Sequence, residues 1–211
     1  MITVKKFKKI LSAVSAAVLC AMPLANGMAA NAAGITKTYR VYFDVPANSG
    51  VASANYSMTY SKHMSEAFYD VGNLGGSVSS GGNGQGVNNI CGCYYTANEA
   101  LVNPGTLFTM KFYGDMSFEE AVIKYELTAK YSNGAEMSSN PITMDVVLVG
   151  DADGDGSITI DDAVSIIIYA ANPSGYPLSN LRAADANGDG VVTEEDATMV
   201  QQYLAQIINH F

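Results

Sequence analysis

The chain has 211 residues, 48% of them apolar, with 20 acidic against 11 basic side chains and a formal charge of −9. That length can bury a core and leaves room for one domain and a small module. The acidic balance argues against nucleic acid as a partner.

Lys5, Lys6, Lys8 and Lys9 precede an apolar run from Ile10 to Leu24, and Ala30-Asn31-Ala32 offers an A-x-A cleavage site. Residues 1–32 therefore read as a secretory signal peptide, whose removal leaves the remainder more acidic still. The run is short and Ala/Ser-rich for a membrane span, and bulky Leu19 before Cys20 argues against a lipoprotein signal. A secreted, extracellular protein with no membrane attachment after processing is the expectation.

Residues 35–149 carry alternating apolar runs and no long helical pattern. Tyr39 to Val45 opens the series. Ala54, Tyr56, Met58 and Tyr60 share one face of the next run, and Thr106 to Tyr113, Ile123 to Lys130 and Ile142 to Val149 continue it. Many short strands separated by polar turns predict an all-β sandwich. Gly72 to Asn89, rich in Gly, Ser and Asn, reads as a long mobile loop. Cys91 and Cys93 follow in a Cys-Gly-Cys run. A bond across one residue closes a strained ring, so two buried thiols on one strand face are expected instead of a disulfide.

Two stretches of this region resemble cohesins. They are Gly50 to Tyr60 and the Gly105-Thr106-Leu107-Phe108-Thr109-Met110-Lys111-Phe112 strand, where the family carries a G-x-L-F-x-x-x-F pattern. The resemblance implies a cohesin-like jelly roll that receives a dockerin-bearing protein. Two alternatives stand beside it. Without Trp but with many tyrosines, including Tyr94 and Tyr95, the domain could stack on polysaccharide as a carbohydrate-binding module. A small glycoside hydrolase would need a carboxylate pair drawn from Glu66, Asp70, Glu99, Asp115, Glu119, Glu120 and Glu126. These acids form no recognisable constellation, and His63 and His210 have no Ser or Cys partner pattern. A non-catalytic domain is expected.

After Gly150 the acids fall at fixed spacing. Asp151, Asp153, Asp155, Ser157, Thr159 and Asp162 occupy positions 1, 3, 5, 7, 9 and 12 of a loop with Gly156 at position 6. Asp185, Asn187, Asp189, Val191, Thr193 and Asp196 repeat the pattern around Gly190. Calcium is a hard cation that takes about six to eight oxygens, and this spacing wraps one segment around it. Ser157 and Val191 would contribute backbone carbonyls, and Thr159 and Thr193 would reach the ion directly or through water. Two calcium ions are expected. A helical pattern trails each loop, Val164 to Ala170 and Thr198 to Leu204, with acids at its start favoured by the helix dipole.

An EF-hand has a helix entering its loop, whereas Ile142 to Val149 alternates as a strand and runs straight into Gly150. Duplicated loop-then-helix, joined by a Pro-Ser-Gly-rich connector from Pro173 to Pro177, closely resembles a type I dockerin over residues 150 to about 208. The resemblance implies a small all-α module at 150–211 that docks calcium-dependently onto a cohesin of a scaffolding protein, in cellulosome-type polysaccharide-degrading complexes at the cell surface. It also implies partner-reading residues at loop positions 10 and 11 and on the following helix. Here these are Ile160, Asp161, Ile167 and Ile168 in the first repeat and Glu194, Glu195, Gln201 and Gln202 in the second. One set is apolar and the other acidic and polar, so a single docking mode through the first repeat is expected.

Overall fold

The computed structural model describes residues 36–83 and 88–211. The expected signal peptide lies outside the described residues. No helix among the described residues is long and apolar enough to cross a membrane.

Among the described residues, eight strands precede the repeats: β1 Lys37–Val45, β2 Ser53–Ser61, β3 Met64–Val71, β4 Ser77–Asn83, β5 Asn88–Thr96, β6 Gly105–Gly114, β7 Val122–Lys130 and β8 Thr143–Leu148. They form two four-stranded antiparallel sheets, ordered β3-β6-β1-β8 and β4-β5-β2-β7. A one-turn helix, α1 Phe118–Ala121, leads into β7 and is capped by Ser117. The inner residues of both sheets interdigitate in one core. Phe43 stacks on Phe108 at 4.2 Å and meets Tyr56 of the opposite sheet at 4.7 Å, while Tyr60 meets Phe112 edge-on at 5.8 Å. Cys91 and Cys93 both point into this core from β5, as the alternation requires.

The expected mobile loop at Gly72 to Asn89 is a correction. Ser77–Asn83 is β4, paired with β5 from Ser77↔Thr96 to Asn83↔Ile90. Its Gly and Ser residues give no apolar alternation because β4 is an edge strand. Backbone hydrogen bonds to β5 define it, with Val78 its one apolar contribution to the core.

Strand β1 departs from the one-face-wet pattern of a sandwich. Tyr39, Val41, Phe43 and Val45 face the inner core, yet Thr38 and Arg40 on the opposite face are also buried, at 0% and 7% exposure. The C-terminal residues cover that face. They fold into α2 Ile160–Ala171, α3 Leu181–Ala184 and α4 Glu194–Leu204 around a second core. Its members pair across the duplication: Ala152 with Ala186, Ala163 with Ala197, and Ile166 with Val200. Repeat-related side chains thus fill the space between α2 and α4.

Candidate functional site

Val149 donates its N–H to Thr38 of β1, and Gly150 donates to Ala183 O, so the first loop starts directly at the end of β8. Each loop is organised by the carboxylate at its first position. Asp151 Oδ1 accepts the N–H of Gly154 (2.9 Å) and Asp155 (3.0 Å), and Oδ2 accepts that of Gly156 (3.0 Å). Asp185 repeats this with Gly188 (2.8 Å), Asp189 (3.1 Å) and Gly190 (3.0 Å). Gly156 and Gly190 both have φ of 88°, a left-handed turn open to glycine at little cost.

The twelfth-position carboxylates close the loops from the helix side. Asp162 Oδ1 accepts from Ala152 N (2.9 Å) and Asp153 N (3.2 Å), and Oδ2 accepts from Thr159 N (2.8 Å). Asp196 receives Asn187 N (3.1 Å) and Thr193 N (2.8 Å). Thr159 and Thr193 are the N-caps of α2 and α4, and Asp162 and Asp196 complete a capping box with each. One short carboxylate therefore ends the loop and starts the helix, a double role that suits Asp at this position.

The donor set fits a hard cation. Ligand atoms of Asp151, Asp153 and Asp155 all lie within 4.8 Å of one another. Asp162 and Asp196 are fully buried, and Asp151 and Asp185 nearly so, while Asp153, Asp155, Asn187 and Asp189 are exposed at the loop mouths. Burial, offset in part by backbone N–H donors and reinforced by Asp153, raises the carboxyls of Asp151 and Asp162 above the ordinary value. Gathered negative charge of this kind is relieved by a bound cation. Ser157 is exposed, and the Val191 side chain, 60% exposed, carries no ligand atom.

The residues implied as partner-reading differ in burial. Ile160 is 44% exposed and Asp161 is exposed, while Ile167 and Ile168 are half-buried and Ile167 packs against the module core. Ile166, fully buried, is the core-facing member of that apolar run. In the second repeat Glu194 and Glu195 are exposed and Gln201 and Gln202 half-buried. Sequence reasoning missed Val164. It is 42% exposed, one turn beyond Ile160, and extends an apolar stripe toward Ile167 and Ile168. Its counterpart is Thr198, so helical spacing from Ile160 could have identified it.

Residues 149–205 match the type I dockerin domain model. This dockerin-like module therefore contains both loops and all of α4. Among solved structures, the chain is similar to a non-cellulosomal cohesin from the hyperthermophilic archaeon Archaeoglobus fulgidus. That similarity has 14% identity and a TM-score of 0.34 over 49% of this chain and 75% of the other. No curated protein matches the chain in sequence.

The acids considered for hydrolysis are dispersed. Glu119 and Glu120 lie on α1, Glu126 on β7 and Asp70 on β3, and Asp115 forms an exposed 3.3 Å contact with His63. His210 packs on Tyr113 with ring centroids 4.4 Å apart. Exposed tyrosines are likewise scattered: Tyr94 is on the outer face of β5, Tyr125 pairs opposite inward-facing Met58, and Tyr131 lies beyond β7.

Proposed function

We propose that this chain is a secreted, non-catalytic component of a cellulosome-like complex, docking calcium-dependently through its C-terminal module onto a cohesin. The observation that carries the reading is the duplicated loop geometry: two sets of carboxylates in the same hydrogen-bonded arrangement, each feeding a capped helix. In this reading two calcium ions are held by Asp151, Asp153, Asp155, Ser157, Thr159 and Asp162, and by Asp185, Asn187, Asp189, Val191, Thr193 and Asp196. The Ile160, Val164, Ile167 and Ile168 stripe supplies the apolar centre that a buried interface favours. Asp161 flanks it. Glu194, Glu195, Gln201 and Gln202 form the polar counterpart in the second repeat.

The sandwich in this reading receives a second protein, a dockerin-bearing one, and makes the chain an adaptor. The dockerin-like module covers the outer face of β1, and the outer face of the β4-β5-β2-β7 sheet is the one this reading offers to a partner. Calorimetric titration of the full chain against a panel of cohesins, with calcium and with chelator, tests the docking arm. Titration against dockerins and plant polysaccharides tests the sandwich. Capture of a cohesin that survives chelation, or glycan binding without any dockerin bound, would overturn the corresponding half.

A further inference from the structure

Two cations of the sandwich face the second loop. Arg40, on the outer side of β1, donates from Nη1 to the backbone carbonyl of Asp185 at 3.0 Å and lies 4.0 Å from Asp185 Oδ2, with both side chains nearly fully buried. Its other nitrogen sits over Gly188, where a Cβ would come within 2.9 Å. Glycine at that position is what lets the guanidinium approach. Lys111, the cross-strand neighbour of Arg40 on β6, lines the same cleft of about 870 Å³ between the modules.

The first loop has no such company. At Gly154, the equivalent of Gly188, the nearest atom to an added Cβ is Ser179 Cβ at 3.8 Å. Among the described residues no ion pair reaches Asp151, Asp153, Asp155 or Asp162. The loops also differ in charge, because Asn187 stands where the first has Asp153.

We propose that the sandwich sets the calcium response of the second loop, with Arg40 as a fixed cation that weakens its affinity, so that the first loop fills first. The inference rests on the calcium reading above. Arg40 bonds the backbone carbonyl of Asp185 and stands 4.0 Å from Oδ2, beyond hydrogen-bond distance, so it opposes the incoming divalent charge by Coulomb repulsion in a buried setting. Occupancy of the second loop is then linked to the packing of the two modules, since a loop that moved off Arg40 would bind calcium more tightly.

The test is a calcium titration of the full chain by amide NMR, in which Gly156 and Gly190 report one loop each, with calorimetry for stoichiometry. Gly156 should respond at lower calcium than Gly190. Arg40→Met should move only the Gly190 transition, to about tenfold lower calcium. Arg40→Lys, which keeps the charge but not the planar fork, should retain the wild-type order. Gly156 and Gly190 titrating together in the wild type, an Arg40→Met chain with an unchanged or weaker second site, or Arg40→Lys behaving as Arg40→Met would each overturn the inference. If Arg40→Met does not fold, Arg40→Gln, which removes the charge and keeps a donor near the Asp185 carbonyl, takes its place against the same expected shift. Calcium silence at both glycines would refute the calcium reading and this inference together; simultaneous titration would refute the inference alone.

Discussion

Arg182 and Asp44, 138 residues apart, join the two modules through a pair of hydrogen bonds of 2.7 and 3.0 Å. The same guanidinium bonds Asp145 at 2.7 Å and lies 4.1 Å over the Tyr42 ring. A fork that meets two carboxylates and an aromatic face is well suited to arginine and poorly to lysine. Arg182→Ala should cost about 1–2 kcal/mol, because it removes charge-assisted bonds at a partly exposed site and leaves Asp44 without its strongest partner. Arg182→Lys should recover less than half. Thermal melting checks the cost, and amide exchange at Val149 and Gly150 should accelerate if these bonds hold the modules together.

Calcium removal should reach the helices through the loops. Without cations the gathered carboxylates repel, and Asp162 and Asp196, which also complete the helix caps, transmit that repulsion to α2 and α4. Chelation of the full chain should lower the helical circular dichroism signal and open protease sites after Gly150, with the sandwich intact. Asp151→Ala and Asp185→Ala should each weaken one site. An unchanged spectrum and digestion pattern in chelator would refute the reading of both loops.

Docking should run through the first repeat. A buried interface tolerates apolar side chains and penalises unpaired charge. Ile160→Asp or Val164→Asp should weaken cohesin capture at least about tenfold, on the scale of an interface anchor. Ile167 and Ile168 point about 100° apart on the helix, so Asp at one of them should abolish capture while calcium-dependent folding survives. Gln201→Asp should change little. Equal losses from both repeats, with folding preserved, would show that the asymmetry is not used.

Stability should fall in strong alkali. Burial pushes the Tyr39 hydroxyl up to about 12, with help from Glu119, and burial does the same for Tyr203. The unfolded chain loses these protons near pH 10 while the folded chain keeps them, so the stability is present in full below pH 10. It declines as pH rises from 10 to about 12, on the order of 2 kcal/mol per ring. Denaturant midpoints at stepped pH should show the slope, and Tyr39→Phe should reduce it. An identical slope in that variant would exclude Tyr39 as a source.

The strands read correctly from sequence were those whose packing imposes strict alternation, such as Ala54, Tyr56, Met58 and Tyr60 on β2. Strand β4 was illegible because nothing in Ser-Val-Ser-Ser-Gly-Gly-Asn fills a core; its pairing partner defines it. The loops were legible for the opposite reason, since their candidate ligands all fall within one short segment. Arg40 was not, because it lies 145 residues from Asp185 and occupies what looks like the solvent side of a strand. Only the second module, laid over that face, turns it inward.

The C-terminal residues return to the strand that opens the sandwich. Phe211 N donates to Thr38 Oγ1, Asn209 O accepts from Thr36 N, and the Phe211 ring stacks on Tyr203. A tether held by a cohesin on α2 and by a second protein on the sandwich would pull across this seam. The load would then be shared among the Val149–Gly150 peptide, the Arg182 fork and the β1 clasp. The junction would behave as a stiff strut, passing force between partners where a flexible tether would absorb it.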